Sequence, residues 1–422
     1  MTLGANAALE SVSGENAVLQ EVRVQAHIND LLAEVTVDQQ YHNPHGTNIE
    51  AVYTFPLPLD AILLDFEIEI GGRKLAGKVV EKSEAERDYE NAIVGGDTAV
   101  LLEQSQPGLY TASVGNILPD EVATIRFRYG VQLRWNGDTV RFMMPTAIAP
   151  RYGDATAAGL LQHQIPEYAF DAEQSFSLAV TVQGILSAAN FTCPTHKVKV
   201  EPAGDGMVID VVGTPAMDRD FVLEASAPAA EASGALSAPD QDGWVALASF
   251  RPEVPNTEYS EPRCVKIVVD CSYSMAGDAI AQAGVAIDRV LDDLREGDFF
   301  EILCFGSDHS TLFGSGMPVS DTSLGIARDF VRVLDANMGG TETDAALTAA
   351  YAVSTEPGVI CDLLLITDGE IWNGEDVILE AQRSDHRIFT IGVGSAVAEP
   401  FVKELAEATN GACELVSPRE DM

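Results

Sequence analysis

The sequence predicts two architectures in series. The N-terminal part is an all-β, sandwich-like fold with one short helix. The C-terminal part is a doubly wound, Rossmann-like α/β domain on a mainly parallel sheet. Three observations carry this expectation. Strand-like segments separated by Gly, Pro and Asn fill the first half. After about residue 260, continuous apolar runs alternate with amphipathic stretches, the rhythm of a parallel sheet covered on both faces. A chain of 422 residues is long enough for two or three domains.

The segments VRVQAHI, AEVTVDQQY, AVYTFPLP, ATIRFRYGVQLRW and TVRFMMP are β-rich or alternate apolar with polar residues. Among them Glu81–Ala92 (EKSEAERDYENA) is polar, rich in Glu and Ala and free of Gly and Pro, so a short surface helix is expected there. FSLAVTV, KVKVEP, MVIDVV and DFVLEAS extend the strands and suggest a second β-layer. Residues 228–243 (PAAEASGALSAPDQDG) read as a long loop or linker, and WVALASFRP as one more strand. This divides the chain into a β-domain over 1–150, additional strands and linker over 151–257, and the α/β domain over 258–422.

Within the last part, Cys264–Asp270 is an apolar run suited to a strand buried on both faces. Asp278–Arg295 carries Ile280, Ala283, Ile287, Val290, Leu291 and Leu294 at helical spacing. Strands are expected over Phe299–Phe305, Val359–Thr367 and Arg387–Val393. Helices are expected over Leu324–Leu334, Asp344–Val353, Glu375–Arg383 and Glu399–Ala408.

Composition narrows the function. The net charge is −40, and only seven of the 25 basic residues are Lys. Nucleic acids and anionic membrane surfaces are therefore disfavoured as partners. The acidity serves solubility, or else forms an acidic face for a basic partner or divalent cations. No apolar run reaches the roughly 18–20 residues of a membrane span. The N-terminus has neither a basic start nor an apolar core, so no signal peptide is read and a cytoplasmic location is expected. Six cysteines, none in a CxxC pair and several inside apolar runs, read as free core thiols.

The chemistry concentrates where buried strands end. CVKIVVD runs into Cys-Ser-Tyr-Ser, placing Asp270, Ser272 and Ser274 together. LLLIT ends in Asp368-Gly369, and the loop MGGTETD presents Thr341 before a helix. In open α/β sheets the ligand crevice lies outside the carboxyl ends of the strands, where all three segments converge. Three hydroxyls and two carboxylates suit Mg²⁺, which takes six oxygens at about 2.0–2.1 Å. Five side chains leave one position open for an Asp or Glu of another molecule. A DxSxS pattern alone arises by chance in roughly one chain in ten of this length. The burial of the preceding strand and the matching GGT and TDG segments give it weight.

These residues carry a resemblance. IVVDCSYSM, MGGTETDAAL and LLLITDGE resemble the three motifs of a von Willebrand factor A (vWA) domain with an intact metal-ion-dependent adhesion site, over about 263–416. The stretch from NPHGTNIEAVYTFPLPLD to RDYENA, followed by VGNILPDEVATIRFRY, is similar to the VIT domain of inter-alpha-trypsin inhibitor heavy chains, vault poly(ADP-ribose) polymerase and bacterial VIT/vWA proteins. There the matching Pro56, Pro58, Gly71, Tyr89, Gly115, Asn116 and Pro119 imply turns and packing. The resemblance implies a module that binds Mg²⁺, with Mn²⁺ or Ca²⁺ as substitutes, through Asp270, Ser272, Ser274, Thr341 and Asp368. It also implies capture of a partner protein's Asp or Glu. A neighbouring copy could supply that carboxylate and give a homo-oligomer. In bacterial relatives the resemblance further implies work beside MoxR-type ATPases. A vWA fold closes with a helix after its last strand. This sequence stops at LVSPREDM where that helix would start, so the helix is missing, supplied earlier, or carried by a longer chain.

The rivals are a metal-assisted hydrolase and a self-assembling scaffold whose metal site stiffens its loops. No P-loop, HExxH or GxSxG is present, and no GxGxxG opens a helix, so an enzyme is not expected. His42 and His45 read as a solvated turn and His309 as a loop residue near the metal face. Glu342 and Glu370 flank the site as a base or as added charge, the latter being the commoner role of such carboxylates.

Overall fold

The computed structural model describes residues 9–11, 18–76, 87, 89, 91–92, 99–106, 108–145, 175–213, 215, 220–227, 233–240, 243–250, 261–369, 374–394 and 397–416. Two compact units divide close to residue 255.

Among the described residues the N-terminal unit holds four sheets, three of which share one core. Its eight-stranded sheet runs in the order Val198–Ala203, Gly206–Val211, Ser177–Gln183, Val18–Asn29, Leu32–His42, Val122–Gln132, Ile62–Ile70 and Arg73–Ala76. Burial alternates strictly along Leu32–His42, where every second side chain is buried, the polar Gln39 among them. Ile68, Ile125 and Val180 point to the same core and are wholly buried. Gly71 and Gly72, both at positive φ, turn Ile62–Ile70 into Arg73–Ala76, a backbone path that side-chain-bearing residues resist.

Strands from beyond residue 150 are woven into this unit. Ser177–Gln183 pairs in parallel with Val18–Asn29, and Phe221–Ser226 pairs with Thr139–Met144. The stretch expected as additional strands and linker thus shares sheets with the first 150 residues. Gly234–Asp240, inside the stretch 228–243 expected as a linker, is a strand that pairs with Gly243–Ser249. Its Ala, Ser and Pro look like linker composition, and only the partner strand gives the backbone its hydrogen bonds. The helix expected over Glu81–Ala92 lies largely outside the described residues; Arg87, Tyr89, Asn91 and Ala92 are helical.

The C-terminal unit contains β1 (Arg263–Asp270), α1 (Asp278–Asp293), β2 (Phe299–Phe305), β3 (His309–Thr311), β4 (Met317–Pro318), α2 (Asp321–Val331), α3 (Thr343–Ala352), β5 (Ile360–Thr367), α4 (Gly374–Ala381), β6 (Arg387–Val393), α5 (Glu399–Ala408) and β7 (Cys413–Val416). The sheet order is β3-β2-β1-β5-β6-β7, with β4 also pairing β2. All pairings from β2 to β7 along this order are parallel, and β3 and β4 are antiparallel additions at the edge. Ile267 and Val269 pack with Ala283 and Ile287 of α1 and Ala327 of α2. Val268, Leu303 and Phe305 pack on the opposite face with α3, α4 and α5. This is the doubly wound arrangement that the apolar runs predict. All six cysteines are free thiols. Burial pushes Cys264 up to about 12 and Cys413 up to about 11, so these thiols stay protonated core groups. Among the described residues no helix is long and apolar enough to cross a membrane.

One core position breaks the apolar rule. Lys266 is only 3 % exposed, and its Nζ donates to His386 Nε2 at 3.0 Å and to the Tyr351 carbonyl at 3.4 Å. His386 Nδ1 lies 2.7 Å from the Ser384 carbonyl, which assigns the neutral tautomer with Nε2 as acceptor. Burial lowers the Lys266 amine below its usual value; burial first, and Lys266 second, lower His386. Lys266→Met is therefore expected to raise stability at pH 7 by about 1 kcal/mol in urea unfolding, because a desolvated ammonium is removed. A lysine lowered on folding regains stability as pH rises toward its unfolded value, so this advantage shrinks toward pH 10. His386 contributes in the opposite window. Its depressed folded value means that stability is intact above about pH 6.5 and falls as acid protonates the unfolded chain first.

Candidate functional site

The parallel strands deliver the motif residues to one end of the sheet. β1 and β5 run in register, with Val269 opposite Ile366, so Asp270 and Thr367 are neighbours at their carboxyl ends. Thr367 Oγ1 donates to Asp270 Oδ2 at 2.6 Å, and Gly369 N–H donates to Thr367 Oγ1 at 2.9 Å. The other carboxylate oxygen of Asp270 accepts from Ser272 N–H at 2.9 Å. Asp270, Ser272 and Thr367 are each at most 1 % exposed, and Asp368 is 5 % exposed. The carboxylate of Asp270 is thus fixed in orientation before any ligand arrives.

Ser272 precedes, and Ser274 lies within, a single turn of 3₁₀-helix over Tyr273–Met275. This turn brings their Oγ atoms to 3.0 Å. The threonine loop is stitched against them by backbone bonds: Met338 N–H to the Cys271 carbonyl at 2.9 Å, and Tyr273 N–H to the Gly339 carbonyl at 2.9 Å. Glu342 N–H donates to the Gly306 carbonyl at 2.9 Å, and Gly340 N–H to Ser307 Oγ at 2.8 Å. Gly306 must be glycine here, since a Cβ would stand 2.4 Å from the Met338 carbonyl oxygen. Thr341 follows in this loop and is half-buried. Asp368 continues from Thr367, and its carbonyl accepts from Ala398 N–H at 2.8 Å.

The segments that carry the sequence-predicted residues are therefore neighbours, and Ser272 and Ser274 are the pair whose side-chain oxygens are brought together. The donor set is oxygen only. In an octahedral shell of radius about 2.0–2.1 Å, adjacent ligand atoms lie about 2.9 Å apart. The two serine oxygens stand at that spacing, so the residues present fit a small hard cation. Among the described residues no group of three or more His, Cys, Asp or Glu is placed to hold a metal.

One contributor escapes motif reading, and one buried hydroxyl nearby in sequence stands without a partner among the described residues. Thr367 orients Asp270, yet a threonine ending a β-run is ordinary strand chemistry. Thr343, first in α3, is buried and its hydroxyl has no hydrogen-bond partner among the described residues. Of the flanking groups, Glu342 is exposed at the N-cap of α3, His309 is exposed on β3, and Glu370 lies outside the described residues. His42 is not a solvated turn residue alone: its Nε2 lies 2.9 Å from Asp120 Oδ1. Beneath the site Cys304 is held protonated, by its hydrogen bond with Cys271 and by burial.

Comparison with known proteins follows the same division. A model of the vault protein inter-alpha-trypsin (VIT) domain matches residues 19–129, and a model of the von Willebrand factor type A domain matches residues 264–415. Rat von Willebrand factor A domain-containing protein 5A is 26 % identical over 97 % of this chain and 53 % of its own length. Human protein mono-ADP-ribosyltransferase PARP4 is 28 % identical over 97 % of this chain and 24 % of its own length. A solved von Willebrand factor type A structure from Catenulispora acidiphila is 23 % identical with a TM-score of 0.34, covering 37 % of this chain and 39 % of that one. The chain spans about half or less of the length of these curated relatives.

Proposed function

This chain carries a VIT domain followed by a von Willebrand factor type A domain, and from that premise we propose that it is a Mg²⁺-dependent protein-interaction module that captures a partner's Asp or Glu carboxylate. Ser272, Ser274 and Thr341 provide neutral hydroxyls; Asp270 and Asp368 provide charge. Bound there, Mg²⁺ supplies an open position for an outside carboxylate oxygen. The observation that carries the reading is the Ser272–Ser274 pair, 3.0 Å apart beside a carboxylate already oriented by two donors. Neutral hydroxyls leave more of the ion's charge for the incoming group than a carboxylate-rich shell would. Binding rather than catalysis is proposed, since the motif hydroxyls and carboxylates form an oxygen ligand set for a cation. ADP-ribosyl transfer is part of the name of relatives of which this chain covers a quarter or less. Six free thiols support a reducing compartment, the cytoplasm.

Saturation-transfer NMR with glutarate tests the reading. The dicarboxylate should give a signal at saturating Mg²⁺ that EDTA removes, and glutaramide should give none. Equal signals from the two compounds, or a glutarate signal surviving EDTA, would refute it. Thr367 provides a second test. Thr367→Val should weaken Mg²⁺ binding about 10- to 100-fold, as loss of a group that orients a ligand does, and Thr367→Ser should restore it. An affinity unchanged in the valine variant would remove Thr367 from the account.

One observation favours the scaffold reading. The hairpin of Gly234–Asp240 and Gly243–Ser249 leaves Trp244 74 % and Val245 57 % exposed, apolar surface suited to assembly. Light scattering in Mg²⁺ and in EDTA separates the two: a scaffold grows with metal and a capture module keeps its mass.

A further inference from the structure

We infer that the carboxylate captured at this site belongs to a basic segment, one Asp or Glu flanked by Lys or Arg, and not to another acidic surface. The inference rests on the capture reading above and adds the partner's chemistry. It starts from the charge of the rim. The described segments around the site are 271–278, 306–309, 335–344, 368–369 and 397–399, and they contain no Lys or Arg. They do contain Asp278, Asp308, Glu342 and Asp344, all exposed, with the Asp308 side chain 91 % exposed. His309 is the sole titratable base among them, and it lies 3.9 Å from Asp308.

Three bases of this unit stand at its other end. Arg263 opens β1, Arg387 opens β6 and Arg295 precedes β2, so these three mark the amino ends of the strands, opposite the site. Arg387 is held there by Asp362. Arg332, next after α2, is held by Asp329 at 2.6 Å. The described segments around the site are therefore acidic, while Arg263, Arg295 and Arg387 stand at the amino ends of the strands.

This acidic rim sets what can dock. Asp270 and Asp368 neutralise a divalent ion, so an incoming carboxylate meets a centre of no net charge inside a negative rim. Its own charge is then repelled unless neighbouring residues of the partner answer Asp308, Glu342 and Asp344. A second copy of this chain, at −40, adds repulsion instead of answering it. Lys or Arg on both sides of one acidic residue satisfies both demands: the carboxylate enters the open position and the cations pair with the rim.

The test uses the full chain and synthetic heptapeptides with a central Asp. Flanks are basic (Lys/Arg), neutral (Ser/Gly) or acidic (Glu), and each peptide has an Asn-centred twin. The readout is the Asp-over-Asn affinity ratio in saturating Mg²⁺, which cancels diffuse attraction of cations to an acidic protein. The basic-flanked Asp peptide should bind roughly tenfold tighter than the neutral one. That margin should shrink as added salt shortens the Debye length from about 10 Å at 0.1 M toward 3 Å at 1 M. Asp308→Lys and Glu342→Lys should each cut the basic-over-neutral margin about threefold, as exposed rim charges do. Neutral or acidic flanks that bind as tightly would overturn the inference and leave carboxylate capture standing. So would a margin unmoved by both reversals. Mg²⁺ uptake with an Asp-over-Asn ratio of one for every flank would overturn carboxylate capture as well, and absence of Mg²⁺ uptake would overturn the metal reading beneath both.

Discussion

Asp270→Ala lowers Mg²⁺ affinity by at least about 100-fold in this account, more than the loss of a group that only orients a ligand. The residue does three things at once. It brings charge to the ion, it accepts the Ser272 N–H that sets the start of the Tyr273–Met275 turn, and it accepts the Thr367 hydroxyl that ties β1 to β5. The last two roles give the variant a structural cost without metal, about 1–3 kcal/mol for buried donors left without an acceptor. Asp270→Asn separates the roles, since an amide retains one acceptor oxygen and loses the charge. Competition with Mn²⁺, followed by electron paramagnetic resonance, measures all three proteins. Asn affinity close to wild type would mean that geometry and not charge holds the ion. Ala affinity within threefold of wild type would remove Asp270 from the site.

Phe305→Ala is expected to cost about 3–5 kcal/mol of stability, the range for deleting a fully buried aromatic ring. Phe305 ends β2, has no exposed surface and packs with Val268, Leu303 and the faces of α3 and α4. Its carbonyl accepts Cys271 N–H at 2.7 Å, and Gly306 beside it seats the threonine loop. Because the ring supports the strand end that carries the site, weaker Mg²⁺ binding should accompany the loss. Urea unfolding should show a lower midpoint at constant slope. A midpoint unchanged from wild type would show that this end of the sheet does not rely on the ring.

Much of the C-terminal unit was legible because apolar runs of strand length and helical spacing leave little choice. Phe299–Phe305, Arg387–Val393 and Glu399–Ala408 coincide with the observed elements. The helix expected over Leu324–Leu334 begins earlier, at Asp321, because Ser320 and Ser323 form a reciprocal cap that apolar periodicity does not register. β7 is too short to carry a pattern, and β3 and β4 exist through their pairing with β2. Strand order in the N-terminal unit was not legible either. The parallel pairing of Ser177–Gln183 with Val18–Asn29 joins segments far apart in sequence, and no local pattern records which strand lies beside which. At the site, the three motif segments lie on adjacent loops at the strand ends. Thr367 stayed hidden because its role depends on the register of β1 against β5, which only the folded sheet fixes.

The acidic surface poses the sharpest challenge to a specific metal site, since a chain of charge −40 attracts divalent cations diffusely. Calorimetric titration of Mg²⁺ into EDTA-stripped wild-type protein at about 0.15 M salt, where the Debye length is about 8 Å, decides between the two. A single saturable site per chain is expected, for which Mn²⁺ competes. Heat that never saturates, or several weak equivalent sites insensitive to Mn²⁺, would contradict it.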